Sequence, residues 1–164
     1  MSKDILLVFG MQNDYVKKDE IVSRIIDKIK YYSENDKPYY LIQNNCYSSN
    51  FCQIHSDGWQ FIDEIKKYVN KDNVIKIFDS NANLYWNELS INASDTIDIC
   101  GFYTDRGIVG NALVLKAKNI WTRIKIDVDC CYGTSPEYSD SALDDLESNG
   151  IEVNYVRRDS EDEF

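Results

Sequence analysis

Short apolar runs alternate with amphipathic segments along this 164-residue chain, and that alternation restricts its fold more than any other feature. The first run, ILLVF at positions 5–9, is apolar without a break, which is typical of a strand buried on both faces of a sheet. The same criterion predicts six strands, at residues 5–9, 39–42, 74–78, 96–100, 121–128 and 151–156.

The segments between these strands carry helical signals. Apolar residues recur every three or four positions between Glu20 and Tyr32, so that segment predicts a helix with one buried face. Thr134, Ser135 and Pro136 are a helix-start signal, and Gly150 is a C-terminal cap. The predicted helices cover residues 20–32, 59–69, 84–89, 104–118 and 136–149, and polar residues 44–57 predict a loop.

Alternating strands and helices form right-handed βαβ units, which produce a parallel sheet with helices on both faces. We therefore predict an α/β fold: a three-layer sandwich with a mainly parallel six-stranded sheet of Rossmann-like order. One domain spans residues 1–158, and an acidic tail follows at 159–164. Ligands of such folds bind beyond the carboxyl ends of the strands, which directs attention to the residues after positions 9, 43, 78, 100 and 128.

Charge and composition exclude several classes of partner. The net charge of −10 disfavours phosphate backbones and anionic lipids, so we expect neither nucleic acid nor membrane as a partner. The start of the chain lacks the pattern of a secretory signal, and the number of cysteines is odd, which predicts reduced thiols in a cytoplasmic protein. The sequence contains neither a G-x-G-x-x-G nor a G-x-x-x-x-G-K-[ST] motif, so nucleotide binding has no basis in sequence.

Three blocks at the predicted strand ends resemble the isochorismatase-like cysteine hydrolases, the family that includes nicotinamidases. ILLVFGMQNDY at 5–15 resembles their opening strand followed by D-x-Q-N-D-F. ICGFYTDRGIVGNAL at 99–113 resembles the pattern c-G-v-x-T-x-x-C-V-x-x-T-A, and DCCYGTSPEYSDSALDDL at 129–146 resembles D-a-x-x-s-x-s-p-e-x-h-x-x-A-L. The blocks occur in order and touch most of the chain.

The resemblance implies a catalytic triad of Asp, Lys and Cys, in which the thiolate attacks a carbonyl or imine carbon while the Asp moves the proton. This sequence has Gly10 at the Asp position and Gly107 at the Cys position, and only Lys76 matches. A glycine offers neither a nucleophile nor a proton acceptor, so the usual covalent mechanism of the family is predicted to be absent. The family often has a cis bond at the position of Phe102 and Tyr103.

Metal-binding members of the family place an Asp and two His after the second strand. The matching stretch here supplies only His55 and Asp57, so we predict no metal and no cofactor.

Lys76 has two interpretations: an anion or carbonyl anchor that faces the pocket, or a solvent-facing lysine at a strand end. Arg106, beside Gly107, either grips a carboxylate or pairs with an acidic neighbour such as Asp105. The other candidate ligand-binding residues are Gln12, Asp14, Phe102, Tyr103, Cys130 and Cys131, of which the two cysteines are expected just after the fifth strand. Cys100 is expected in the core, and Cys46 and Cys52 are expected to be exposed.

The leading hypothesis is a catalytically inactive homologue. It would bind a small anionic or carbonyl ligand or another protein, and it would form a homo-oligomer or assemble with related chains. The alternative is an active hydrolase of small amides, esters or vinyl ethers that uses a nucleophile foreign to the family. Cys130, Cys131, or water activated by Asp14 or Asp79 would then take that role.

Overall fold

The computed structural model describes residues 2–15, 17–78, 82, 84 and 89–155. They contain one six-stranded sheet in the order β3-β2-β1-β4-β5-β6, and every neighbouring pair is parallel. This confirms the predicted α/β architecture and its Rossmann-like strand order. The strands are β1 Asp4–Phe9, β2 Tyr39–Asn45, β3 Val74–Phe78, β4 Thr96–Phe102, β5 Arg123–Tyr132 and β6 Glu152–Asn154.

Helices cover both faces of this sheet, which confirms the three-layer arrangement. Helix α1 (Asp19–Glu34) packs across β1, β2, β4 and β5, whereas α2 (Val109–Lys118) and α3 (Pro136–Ser148) pack against each other. The Ser135 hydroxyl accepts a hydrogen bond from the Tyr138 N–H and caps α3, as the sequence predicts.

The core lies where the apolar pattern places it. Residues 5–9 of β1 are all at most 2% exposed, and α1 buries Ile21, Val22, Ile25, Ile29 and Tyr32 on one face. A partly buried ion cluster also joins α1 to the sheet: Lys28 Nζ lies 2.5 Å from Asp98 Oδ2 in β4 and 2.6 Å from Asp127 Oδ2 in β5.

The prediction of one helix over residues 59–69 is wrong. Two short 3₁₀ turns, Asp57–Trp59 and Asp63–Tyr68, flank an extended stretch instead. In that stretch the Ile62 N–H donates to the Met11 carbonyl at 2.9 Å, and Phe61 forms a β-bridge with Gln12. These tertiary bonds engage the backbone groups that a continuous helix would need.

Several element boundaries differ from the sequence prediction, and two of these differences lie near the candidate site. The segment after β4 starts with a wide π-type turn, Thr104–Ile108. Within this turn Arg106 has the non-helical angles φ −125° and ψ −110°, so the regular helix begins only at Val109. Strand β5 continues to Tyr132, so the expectation that Cys130 and Cys131 follow it is wrong.

The described residues do not include Asp79, the acidic tail at 159–164 or most of the helix predicted at 84–89. Within the described chain, each helix is too short or too polar to cross a membrane.

Candidate functional site

The two glycines at the triad positions follow β1 and β4, at the edge of the sheet where strands carry their carboxyl ends. Gly10 directly follows β1, and Gly107 lies buried in the π-type turn after β4. The peptide bond between Phe102 and Tyr103, at the start of that turn, is cis, as the family resemblance implied.

Gly10 has a conformation and surroundings that exclude a side chain. Its φ of +70° lies in the left-handed region, which L-residues other than glycine rarely adopt. A Cβ atom there would overlap the Phe102 carbonyl oxygen and lie 2.9 Å from Tyr15 Cε1. An aspartate therefore fits at this position only if the backbone moves.

Gly107 is different, because its surroundings leave room for a side chain. A Cβ atom built there would meet its nearest neighbours, Phe9 Cδ2 and Asn111 Nδ2, at 3.7 and 3.9 Å, which are ordinary contacts. The fully buried Asn111 donates to the Gly107 carbonyl at 2.8 Å and accepts from the Leu84 N–H at 3.0 Å. These hydrogen bonds hold the turn in place, although Gly107 has no side chain that could act as a nucleophile.

A cavity of about 330 Å³ opens beside these glycines, and we call it the aromatic pocket. Its lining residues are Tyr15, Asn44, Phe51, Tyr103, Arg106 and Thr134. The Tyr15 ring centroid lies 4.9 Å from those of both Phe51 and Tyr103, so the three rings form one packed wall. No carboxylate or thiol is among these described lining residues.

Tyr103 and Arg106 were identified from sequence, whereas Tyr15 and Asn44 were missed as pocket residues. Tyr15 is the last residue of the first block that resembles the family, and this position could have identified it as a pocket residue. Burial, together with the nearby Cys52, raises the pKa of Tyr15 well above its usual value, so its hydroxyl is neutral. That hydroxyl accepts a 3.4 Å hydrogen bond from Asn44 Nδ2 and keeps its own proton for donation.

Arg106 is the cation of the pocket, and its side chain is 56% exposed. Its Nε forms an ion pair with Asp105 Oδ2 at 3.8 Å, which is one of the two predicted alternatives, although this distance is too long for a hydrogen bond. The Asp105 carboxylate accepts instead from the N–H of Thr134, at 2.8 Å, and from its hydroxyl. Asp105 thus joins the β5–α3 turn to the turn after β4, and its carboxylate pairs with Arg106 without taking a hydrogen bond from it.

Gln12 and Asp14, both predicted to bind ligand, support the loop over residues 46–60. Gln12 is fully buried: its Nε2 donates to the carbonyls of Asn44 and Trp59, both at 2.9 Å, and its Oε1 accepts from Asn44 N–H at 2.8 Å. Asp14 Oδ2 accepts from the Cys52 N–H at 2.7 Å. Their direct contact with a ligand stays a prediction.

Two further candidates, Lys76 and Phe102, do not line the aromatic pocket. Lys76 lies in the middle of β3, opposite Gln43 of β2, and is exposed. Phe102 is buried at the end of β4, with its ring centroid 6.5 Å from that of Tyr103. Lys76 as an anchor stays a prediction.

The five cysteines are free thiols, and all are buried. Cys100 is a core residue, as predicted, but the expectation that Cys46 and Cys52 are exposed is wrong. The loop folds onto itself there: the Cys46 N–H donates to the Cys52 carbonyl at 3.1 Å. Burial raises the pKa of Cys130 to about 12 and that of Cys131 still further, which opposes thiolate formation.

A metal does not fit the described residues of this site. They contain no group of three or more His, Cys, Asp or Glu side chains placed to hold an ion. His55 packs edge-on against Trp59, with ring centroids 5.2 Å apart. The absence of a metal from the protein itself stays a prediction.

Solved structures share the fold over almost the whole chain. An isochorismatase family protein from Desulfovibrio vulgaris superposes with a TM-score of 0.80 at 14% identity, covering 94% of this chain and 95% of that one. N-carbamoylsarcosine amidase from Thermoplasma acidophilum gives 0.75 at 17% identity and covers 96% and 99%. The pyrazinamidase of Pyrococcus horikoshii, solved in complex with zinc, gives 0.74 at 16% identity and covers 94% and 99%.

A search of curated protein sequences found no match. The family comparison is decisive, because the model of the Isochorismatase domain matches residues 4–156, nearly the whole chain. Together with the parallel sheet and the turn around Gly107, this match shows that the chain belongs to the isochorismatase family.

Proposed function

We propose that this chain is a catalytically inactive member of the isochorismatase family that binds a small anionic or carbonyl-containing ligand in the aromatic pocket. The observation that carries the proposal is the pair of triad positions. Gly107 supplies no nucleophile, and Gly10 is held where a Cβ atom would overlap the Phe102 carbonyl oxygen.

Loss of these two groups removes separate parts of the reaction. Without a thiol at position 107, no covalent intermediate forms there, and without a carboxylate at position 10, no group beside it moves the proton. The alternative nucleophiles receive little support, because Cys130 and Cys131 lie within β5 outside the lining of the aromatic pocket, and Asp14 is engaged by the Cys52 N–H.

The remaining side chains suit binding. Three packed rings offer an apolar wall for a planar group, the Tyr15 hydroxyl can donate to a carbonyl or carboxylate oxygen, and Arg106 can pair with an anion. Binding through such groups needs neither a nucleophile nor a base.

We further propose that the chain is cytoplasmic and forms a homo-oligomer or assembles with related chains. The cytoplasmic location is supported by five free thiols, and the assembly by the family resemblance. Light scattering at micromolar concentration tests self-assembly, and a monomer would contradict the homo-oligomer.

The proposed function is tested by turnover and by binding with the same protein. We expect no hydrolysis of nicotinamide, small amides, activated esters or vinyl ethers above a Lys76→Ala control. We expect 3-phenylpropionate, which combines a ring with a carboxylate, to bind in calorimetry and Arg106→Met to weaken it about tenfold. Turnover that Lys76→Ala abolishes would show that the site still catalyses, and no binding of the probe would contradict the ligand class.

A further inference from the structure

A second cavity adjoins the aromatic pocket. This groove, of about 360 Å³, lies between the turn after β4 and helices α2 and α3. Its lining residues are Asp105 and Arg106 of the turn, Val109 of α2, and Tyr138, Ser141, Ala142 and Asp145 of α3. We call it the α2–α3 groove.

Arg106 connects the two cavities, because its side chain lines both. Arg106 lies between the end of β4 and the start of α2, and its backbone does not have helical φ and ψ angles. Since the Asp105 carboxylate is engaged by Thr134, the guanidinium at this junction keeps its hydrogen-bonding capacity for an anion. An anionic group bound there would have space on both sides.

The two spaces differ in chemical character. The aromatic pocket has a wall of three rings, whereas the groove has Val109 and Ala142 as apolar contacts. The groove also has two acidic side chains, Asp105 beside Arg106 and Asp145 on α3. Asp145 and Ser141 are exposed on α3, so an arm that reaches them stays hydrated. An arm that is apolar near Arg106 and positively charged at its end complements this lining.

We propose that the site is bipartite, formed by the aromatic pocket and the α2–α3 groove, and that it takes an aromatic carboxylate with a positively charged arm. The ring lies against Tyr15, Phe51 and Tyr103, the carboxylate pairs with Arg106, and the arm runs along the α2–α3 groove to Asp145. This inference rests on the proposed function, because it assumes that the aromatic pocket binds a small ligand.

Three probes separate the parts of the site. 3-Phenylpropionate has the ring and the carboxylate only, and the dipeptides lysyl-phenylalanine and glutamyl-phenylalanine add an arm of opposite side-chain charge. We expect calorimetry to give a Kd about fivefold lower for the lysyl dipeptide than for 3-phenylpropionate, and no gain for the glutamyl dipeptide.

Variants on α3 show where the arm lies. Ser141→Trp fills the groove from an exposed position and should remove the gain of the lysyl dipeptide, while binding of 3-phenylpropionate stays unchanged. Ser148→Trp is the matched control, since Ser148 is exposed on the same helix but does not line the groove. Asp145→Lys should reverse the preference toward the glutamyl dipeptide.

The outcomes distinguish this inference from the proposed function. If 3-phenylpropionate binds and neither dipeptide gains affinity, the bipartite site is wrong and the aromatic pocket stands. If the lysyl gain survives Ser141→Trp, the arm does not lie in the groove, which also overturns the inference. If none of the three probes binds, both the bipartite site and the proposed ligand class fail.

Discussion

A Cβ atom on Gly10 would overlap the carbonyl oxygen of Phe102, so the end of β4 obstructs a side chain at the position where the family resemblance places an aspartate. The φ of +70° at Gly10 is part of the same arrangement. At Gly107, by contrast, a Cβ atom would have its nearest neighbour 3.7 Å away. The two triad positions therefore differ: one could accept a side chain again, and the other could not without a backbone shift.

This difference predicts opposite effects of alanine on stability. Gly10→Ala should lower the free energy of unfolding by at least about 2 kcal/mol, because it combines a left-handed φ with a steric overlap. Gly107→Ala, the matched control, should be neutral or stabilising by about 0.5–1 kcal/mol, since alanine restricts the unfolded chain and fits the space. Urea denaturation measures both, and equal stabilities would contradict the geometry.

Gly107→Cys should restore a nucleophile without restoring turnover. The thiol would lie next to Arg106 at the start of α2, a setting that favours thiolate, but no carboxylate would occupy position 10. We expect the thiolate to displace p-nitrophenolate from p-nitrophenyl acetate, which retains about one acetyl group per chain as a thioester and releases a burst of about one p-nitrophenolate, followed by little steady hydrolysis. Mass spectrometry locates the adduct, with Gly107→Ala as control, and sustained turnover would show that another group moves the proton.

Gln12→Ala should loosen the loop that contributes Phe51 to the aromatic pocket. The change removes three partly buried hydrogen bonds at 2.8–2.9 Å and should cost about 3 kcal/mol of unfolding free energy. Amide hydrogen exchange should accelerate over residues 46–60. Asn13→Ala removes one exposed hydrogen bond, to the Asp57 carbonyl, and should change both readouts much less; an equal effect would argue against a special role for Gln12.

Lys76→Ala should leave binding of 3-phenylpropionate unchanged. Lys76 is exposed in β3 and does not line the aromatic pocket, so its removal should change stability by no more than about 0.5 kcal/mol. Calorimetry on this variant beside Arg106→Met tests the prediction. A loss as large as that of Arg106→Met would mean that Lys76 is the anion anchor and reaches the pocket when ligand is bound.

Asp95 should make stability depend on pH. Burial raises its pKa, but hydrogen bonds from the Asn92 N–H and from the Lys3 N–H and Nζ outweigh it, leaving the pKa below its usual value. A depressed carboxyl pKa stabilises the fold above the unfolded pKa of about 3.9 and loses that contribution as pH falls below it.

The corresponding variant is Asp95→Asn. It should be less stable than the wild type by about 1–3 kcal/mol at pH 7, and the difference should shrink toward pH 3.5. Thermal unfolding at several pH values measures it. Asp144→Asn, on the exposed side of α3, is the control, and a difference at Asp95 that does not change with pH would contradict the assignment.

The sequence predicts the sheet well because its strands depend on local apolar runs. Residues 74–78 form β3 with the predicted bounds, and β1 differs from its prediction by one residue. The helix predicted at 59–69 fails because Phe61 and Ile62 bond to Gln12 and Met11, far away along the chain. Local periodicity contains no information about such partners.

By itself, the sequence determined the α/β fold and the family, and it has glycine where the family resemblance implies a catalytic Asp and Cys, since each follows from residue identity and spacing. Only the tertiary structure decided that Tyr15, Phe51 and Tyr103 form one wall, because three separate segments supply these rings. It also decided that Gly10 excludes a side chain, since the obstructing oxygen belongs to Phe102 on β4. Steric exclusion depends on atoms that are distant in sequence and adjacent only after folding.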